Sequence, residues 1–232
     1  MNEASVTLGP VPRPRTPGVD LDSQLPRYWF ADNVAATHIA NGVNLLFPAG
    51  ERFFVRSVHH YLDQVDDEHL RKQIKGFFGQ EGRHAKEHER QFELLKEQGF
   101  DIERILVLYE RVAYGFIEKV APRSLALATT AAAEHFTAIL AENALRNRFL
   151  DRAHPAMQQL LLWHASEEIE HRSVACEQLQ ALASLAERGT RRPQIQVQRP
   201  RQRAERRENA EFVAISLLVQ DWDAIAPYLV EA

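Results

Sequence analysis

The chain has 232 residues, which is enough for one domain with a sizeable hydrophobic core. Hydrophobic residues make up 45% of it and charged residues 26%, as in ordinary globular proteins, and a net charge of -4 gives no overall attraction to nucleic acid. The single cysteine, Cys176, excludes an intramolecular disulfide framework, and the sequence has neither a secretory signal pattern nor a run of about 18 uninterrupted apolar residues. We therefore expect one folded domain with tails, in the cytoplasm.

The sequence predicts four regions in chain order. Residues 1–26 contain five prolines and little apolar periodicity, which is typical of a disordered, extended arm. Residues 27–187 carry apolar stripes with helical spacing and are expected to form the bundle. Residues 188–209 are rich in arginine and are predicted to be a flexible linker, and residues 210–232 regain apolar side chains that suit a short helix.

Five helices are predicted within the bundle region. Pro48 suits a first helical position, so the first helix is expected to begin there. The second is expected from near Asp67 to Gly99, a typical C-terminal cap residue. The others are predicted over residues 101–120, 124–150 and 155–185. The helix over residues 101–120 is expected to be a crossover between two halves of the bundle.

The other four predicted helices each carry a glutamate within an otherwise apolar or small-residue stripe. The pattern is a lone glutamate followed by Glu-x-x-His, after 30 residues in the first half and after 34 in the second. Residues three apart lie on adjacent turns of one helix face, so each Glu-x-x-His pair can direct two side chains at one ion. Together this is the ligand pattern of a di-metal helical bundle. The predicted metal ligands are Glu51, Glu81, His84, Glu134, Glu168 and His171.

The charge of this set predicts the cofactor. Four carboxylates would balance two divalent ions, whereas the same carboxylates buried without metal would each cost several kcal/mol. A set of oxygen ligands with two imidazoles suits iron, which is the first choice, and manganese, a mixed manganese and iron pair, and zinc are the alternatives.

Two further histidines lie on the same stripes. His88 is one turn after His84, and His164 is one turn before Glu168. Either could be an extra ligand or a proton carrier, so both are candidate catalytic residues, and the alternative is a supporting or core histidine. Three flanking residues, His135, Glu167 and Glu170, are expected in solvated or interhelical salt-bridge positions.

Four blocks of sequence resemble a bacterial family known as predicted metal-dependent hydrolases. They are the run from Phe47 to Phe54, the run from Gln80 to His84 with His88, the run from Thr129 to His135, and the run from Trp163 to His171. The resemblance covers roughly residues 26–180 and implies an all-α, ferritin-like four-helix bundle with a metal centre at the six predicted ligands. After Leu185 relatives generally continue with a long apolar helical segment, where this chain is rich in arginine.

Three functions remain open at this point. The resemblance implies a metal-dependent hydrolase, in which two ions activate a bridging water. The apolar bundle interior suits instead a di-iron oxidase or oxygenase that activates dioxygen and acts on a small apolar substrate. A non-enzymatic metal-binding or polyanion-binding helical protein is the third.

The expected partners follow from the same features. We expect a small-molecule substrate and no nucleic acid, and a homodimer is compatible with the sequence. Membrane contact is not expected, although the Arg-rich segment, residues 188–209, would allow it.

Overall fold

A computed structural model describes residues 9–21, 25–178 and 181 of the chain. The helices within these ranges are α1 (Val34–His59), α2 (Glu68–Glu97), α3 (Glu103–Val112), α4 (Glu118–Val120), α5 (Arg123–Asn147) and α6 (Pro155–His171). Shorter helical turns cover Leu62–Gln64, Ala113–Ile117 and Phe149–Arg152. In this part of the chain, β structure is limited to one isolated bridge between Phe30 and Ala153. The predicted all-α class is therefore confirmed.

The four long helices pack as a bundle. Helix α1 packs against α2 and α5, and α6 packs against the same two helices from the other side. Each long helix thus has two neighbours, as in the predicted bundle. The ferritin-like topology and the four region boundaries stay predictions, and residues 188–232 lie outside the described residues.

Helix α1 begins earlier than the sequence predicted. Pro48 lies inside the helix, whereas Asn33 caps its start by accepting a hydrogen bond from the backbone N–H of Ala36 at 2.9 Å. An Asn at this position is a typical helix start, so the expectation at Pro48 overlooked a local signal. Helix α2 agrees with its prediction, because Asp67 caps its start and Gly99 follows its end with φ at +82°.

The predicted crossover helix is interrupted. A single π-helical turn, Ala113–Ile117, separates α3 from α4, and neither of these helices nor the turn contains a buried residue. This segment joins the two halves of the bundle, and its contribution to the core includes the partly buried Leu106, which packs against Leu45, Phe92 and Leu95. The last predicted helix is also interrupted, since α6 ends at His171 and residues 174–178 are helical again after a turn, and the predicted end at residue 185 lies outside the described residues.

The described part of the N-terminal arm contacts the bundle. Residues 9–21 have no helix or strand and lie extended along the bundle. The side-chain amide of Gln73 on α2 donates to the carbonyl oxygen of Gly9 at 2.9 Å, and that of Gln159 on α6 donates to Pro17 at 2.9 Å. Two bundle helices therefore hold the arm in place.

Two apolar clusters flank the middle of the bundle. One contains Val58, Ile74, Phe77 and Leu127, and the other contains Leu45, Phe92 and Leu95. Along α1 and α2 the predicted ligands lie between these clusters in sequence, so the polar site is at mid-height of the bundle.

Helix α5 has the length and composition that a membrane span requires, which it alone has among the described helices. The core helix of a soluble protein has the same properties, and the middle of α5 carries the fully buried Glu134. The expectation from the sequence concerns uninterrupted apolar runs, and Glu134 interrupts the apolar run of α5.

Candidate metal centre

The structure brings all six predicted ligands together inside the bundle. Helices α1 and α5 each contribute one glutamate, and α2 and α6 each contribute a Glu-x-x-His pair. None of the six side chains belongs to a residue that is more than 5% exposed. The helical spacing therefore does place four carboxylates and two imidazoles in one buried cluster.

Glu168 is at the centre of this cluster. Its Oε1 atom lies 3.5 Å from Nε2 of His171 and 3.6 Å from Nδ1 of His84. The same Nε2 atom of His171 is 3.1 Å from Oε1 of Glu81 and 3.2 Å from Oε2 of Glu134. Oε1 of Glu81 is in turn 3.6 Å from Nδ1 of His84. These separations are close to those between atoms that share a metal ion.

The two histidines present opposite ring nitrogens to the cluster. His84 directs Nδ1 at the carboxylates, while its Nε2–H donates to Oε2 of Glu167 at 3.1 Å. His171 directs Nε2 at them, while its Nδ1–H donates to Oε1 of Gln80 at 2.9 Å. The outer hydrogen bond holds one N–H of each ring, so the nitrogen that faces inward is the one that would bind a metal ion once it is free of a proton.

The inward-facing atoms have no hydrogen-bond partners. Buried polar atoms are normally paired, because an unpaired one loses the hydrogen bonds that it makes to water. Within the described part of the chain the unpaired buried atoms include both carboxylate oxygens of Glu51, Glu81 and Glu134, Oε2 of Glu168, Nδ1 of His84 and Nε2 of His171. All of them are atoms that bind metal ions, so the residues present fit a metal cofactor.

Overlapping groups of ligand atoms make one continuous site. Glu51, Glu81 and His84 place ligand atoms within 4.8 Å of one another, and so do Glu81, Glu168 and His171. Glu81 belongs to both groups, and it therefore lies where a carboxylate could bridge two ions.

In the absence of metal, protons compensate the charge of the cluster. Burial, and then the neighbouring carboxylates, hold the pKa of Glu51 well above the usual range of a carboxyl group, and burial has the same effect on the pKa of Glu81 and Glu134. Burial alone would lower the pKa of His171, but three carboxylates outweigh it and raise that pKa well above its usual value. Burial would raise the pKa of Glu168, yet His171 and His164 lower it further than burial raises it.

His164 and His88 extend the cluster toward one end. Nε2 of His164 is 2.9 Å from Oε1 of Glu168 and 3.6 Å from Oε1 of Glu51, and its Nδ1 is 2.6 Å from Nε2 of His88. Burial, and then the neighbouring His84, lowers the pKa of His164 to about 4, and burial also lowers the pKa of His88. Both rings are therefore neutral at pH 7, and both contact the ring of Phe47.

A family model described as predicted metal-dependent hydrolase matches residues 13–218, which is most of the chain. The chain belongs to this family. The match begins before the blocks on which the resemblance rests and continues beyond Leu185 through the whole Arg-rich segment. No curated protein and no solved structure matches the chain.

Of the three residues that flank the predicted ligands, Glu167 is the one that is fully buried. Its expected position was solvated or in an interhelical salt bridge, and its carboxylate pairs with Arg15 of the arm and accepts the hydrogen bond from His84 of α2. Glu167 and Glu168 are adjacent on α6, so their side chains point in different directions. Both side chains are buried because α6 is covered on more than one side. Glu170 is only partly buried and pairs with Arg15, and His135 is exposed, as expected.

Proposed function

We propose that the chain is a hydrolase with a two-metal centre, iron being the first choice. The observation that carries the proposal is the set of buried carboxylate oxygens and ring nitrogens without hydrogen-bond partners. Leaving so many ligand atoms unpaired would be costly in a protein that held no cations there. Two divalent ions would match four carboxylates in charge, and the family description points to the same class of reaction.

The ligands divide between two positions that share Glu81. Glu51 and His84 would complete the first position, and Glu134 and His171 would complete the second, with Glu168 facing both. When bound, the two ions would activate a shared water and polarise an oxygen atom of the substrate. A small-molecule substrate suits a centre enclosed within a bundle.

His164 and His88 supply a path for a proton. Nε2 of His164 faces Glu168 and Glu51, and its Nδ1 is hydrogen-bonded to Nε2 of His88. Because His164 is neutral at pH 7, it can accept a proton from the carboxylate side and pass one to His88. The proton would arrive at Nε2 of His88, and the opposite nitrogen, Nδ1, which has no hydrogen-bond partner among the described residues, would release one in turn.

The test is hydrolysis by the metal-loaded protein. Chain loaded with Fe(II), Mn(II) or Zn(II) should hydrolyse members of a panel of p-nitrophenyl carboxylic and phosphoric esters, and Glu81→Gln should abolish this activity together with metal binding. His88→Gln should lower kcat about 100-fold while metal content is unchanged, since general acid–base groups contribute roughly that much. The control is His135→Gln, which changes an exposed histidine next to a predicted ligand.

The enclosure of the centre favours a second candidate, oxidation by dioxygen with a di-iron centre. Aromatic rings contact four of its histidines: Phe47 touches His88 and His164, Phe77 touches His171, and Trp163 touches His84. Such surroundings admit dioxygen and a small apolar substrate, and they offer few polar groups to orient a hydrolysable one.

Dioxygen uptake separates the two candidates. Protein loaded anaerobically with Fe(II) is mixed with dioxygen, and consumption is followed with an electrode against Glu81→Gln as the control. Uptake in proportion to bound iron, together with inactivity toward the whole ester panel, would replace the hydrolytic proposal by the oxidative one.

A further inference from the structure

We propose that the N-terminal arm positions the metal centre, with Arg15 joining the outer hydrogen bonds of the two histidines that face the metal. The inference rests on the proposed metal-binding function. Arg15 lies in the extended arm, within the residues that the family model matches, and it contacts both Glu167 and Glu170 on α6. Each of these glutamates is connected by hydrogen bonds to a different histidine.

The first branch leads through Glu167 to His84. The backbone N–H and the guanidinium of Arg15 both donate to Oε1 of Glu167, at 3.0 and 3.3 Å. The other oxygen of the same carboxylate accepts the Nε2–H of His84 at 3.1 Å. Glu167 is fully buried, and a buried carboxylate needs hydrogen-bond donors, which Arg15 supplies to Oε1. Arg15 therefore maintains the acceptor that holds the ring of His84.

The second branch leads through Glu170 and Gln80 to His171. The guanidinium of Arg15 donates to Oε1 of Glu170, and the side-chain amide of Gln80 donates to Oε2 of the same carboxylate at 3.0 Å. That amide group is oriented so that its oxygen accepts the Nδ1–H of His171 at 2.9 Å. An amide turned the other way would offer His171 a donor in place of an acceptor. One guanidinium thus fixes the outer partners of both rings.

Two glycines of α2 allow the arm to pack closely against this helix. A Cβ atom added at Gly76 would overlap the carbonyl oxygen of Pro12, and one added at Gly79 would overlap the ring of Pro14. The arm therefore approaches α2 more closely than any residue with a side chain would allow at these positions. Gly82, one turn further along the same helix, has no atom within 4 Å of such a Cβ.

The consequence is a dependence of metal affinity on the arm. Outer partners of metal-bound histidines orient the ring, and their loss typically weakens metal binding about 10- to 100-fold. Arg15 supports one histidine at each of the two proposed ion positions. Its removal is expected to weaken both, although no atom of Arg15 reaches the predicted ligands themselves.

The first test compares Arg15→Ala with Arg13→Ala in the full chain, using Co²⁺ as the probe. Arg15→Ala should weaken Co²⁺ binding at both positions about 10-fold and should change the visible d–d spectrum, because the imidazoles are no longer held in one orientation. Arg13→Ala removes the same charge from an exposed side chain of the arm and should leave binding and spectrum unchanged. Arg15→Lys, which retains the charge with fewer donors, should restore part of the affinity.

The second test displaces the arm without changing Arg15. Gly76→Ala and Gly79→Ala should expose the Arg15–Thr16 bond to trypsin and lower Co²⁺ affinity toward that of Arg15→Ala. Both variants should fold, since alanine is the better helix former by roughly 1 kcal/mol. Gly82→Ala is the matched control and should change neither property. Gly79→Ala combined with Arg15→Ala should bind no more weakly than Arg15→Ala alone, because both changes act through the same contacts.

The outcomes separate this inference from the proposed function. If the unaltered chain binds no Co²⁺ at the centre, both are overturned. If the unaltered chain binds Co²⁺ and the arm variants bind it with the same affinity and spectrum, only the role of the arm is overturned. Release of the arm by Gly76→Ala or Gly79→Ala without loss of Co²⁺ affinity would also overturn only the role of the arm.

Discussion

At the scale of single residues, Glu51 is the least compensated group of the centre. Both of its carboxylate oxygens lack hydrogen-bond partners, and the ring that faces it through Nε2 at 3.6 Å, His164, is neutral at pH 7. Burial and three neighbouring carboxylates raise its pKa. Glu51 is therefore a position where metal binding and the stability of the metal-free protein oppose each other.

Glu51→Gln tests this opposition. The variant should lose about one equivalent of bound metal, while the metal-free protein should gain about 1 kcal/mol or more, because a neutral amide replaces a carboxyl group that is costly to bury. In a domain of this size 1 kcal/mol corresponds to a rise in Tm of about 2–4 °C. Glu142→Gln, at a partly exposed residue that pairs with Arg172, is the control and should change neither quantity. A lower Tm of metal-free Glu51→Gln would contradict the account.

Part of the site follows from local sequence and part does not. The spacing within Glu81-x-x-His84 and Glu168-x-x-His171 is a property of one helix, so the sequence alone can place these residues on one face. Their assignment as ligands stays a prediction. Glu167, Gln80 and Arg15 act through partners 83, 91 and 152 residues away, and such pairing depends on how helices rotate against each other and where the arm lies. No periodicity within the sequence indicates which of these distant residues pair.

At the scale of helices, the start of α1 is the clearest difference from the sequence prediction. Pro48 is a favourable first residue of a helix, but tertiary packing tolerates it inside α1, where it is buried. The residues before it extend the helix back to its cap, Asn33, and bring Asn41 within 2.9 Å of the indole nitrogen of Trp29. The helix propensity of one residue predicts the start of a helix less well than a capping residue that is followed by apolar residues at helical spacing.

Removal of that cap tests the longer helix. Asn33→Ala should lower the free energy of unfolding by about 1 kcal/mol, since the backbone N–H of Ala36 loses its acceptor. Asn33→Asp retains an acceptor at the same place and should remain close to the unaltered protein. Chemical denaturation measures both. If Asn33→Ala were as stable as Asn33→Asp, α1 would not begin at Val34.

At the scale of the whole molecule, stability should depend on pH in opposite ways with and without metal. The raised pKa of His171 means that its contribution to stability is complete below pH 6.5 and is lost as pH rises through the folded-state pKa. Glu51 and Glu81 act in the same direction, because their raised pKa values retain protons in the folded state. His164, with a pKa of about 4, acts in the opposite direction only between about pH 4 and 6.5.

Above pH 6.5 the metal-free protein should therefore lose stability as pH rises, by at most about 1.4 kcal/mol per pH unit for each group that titrates. The metal-loaded protein should gain stability over the same range, since metal competes with protons for these ligands. Urea denaturation at pH 6.5 and 8.5, with and without bound metal, gives the two slopes. Slopes of the same sign would contradict the assignment of protons and metal to the same atoms.

The most direct test of the central claim is elemental analysis of the full chain purified without a metal-affinity tag and reconstituted anaerobically with Fe(II). We expect about two equivalents of metal per chain in the unaltered protein and a clear loss in Glu81→Gln, whose carboxylate belongs to both groups of ligand atoms. Less than half an equivalent in the unaltered protein after exposure to Fe(II), Mn(II) and Zn(II), or equal metal content in Glu81→Gln, would contradict it.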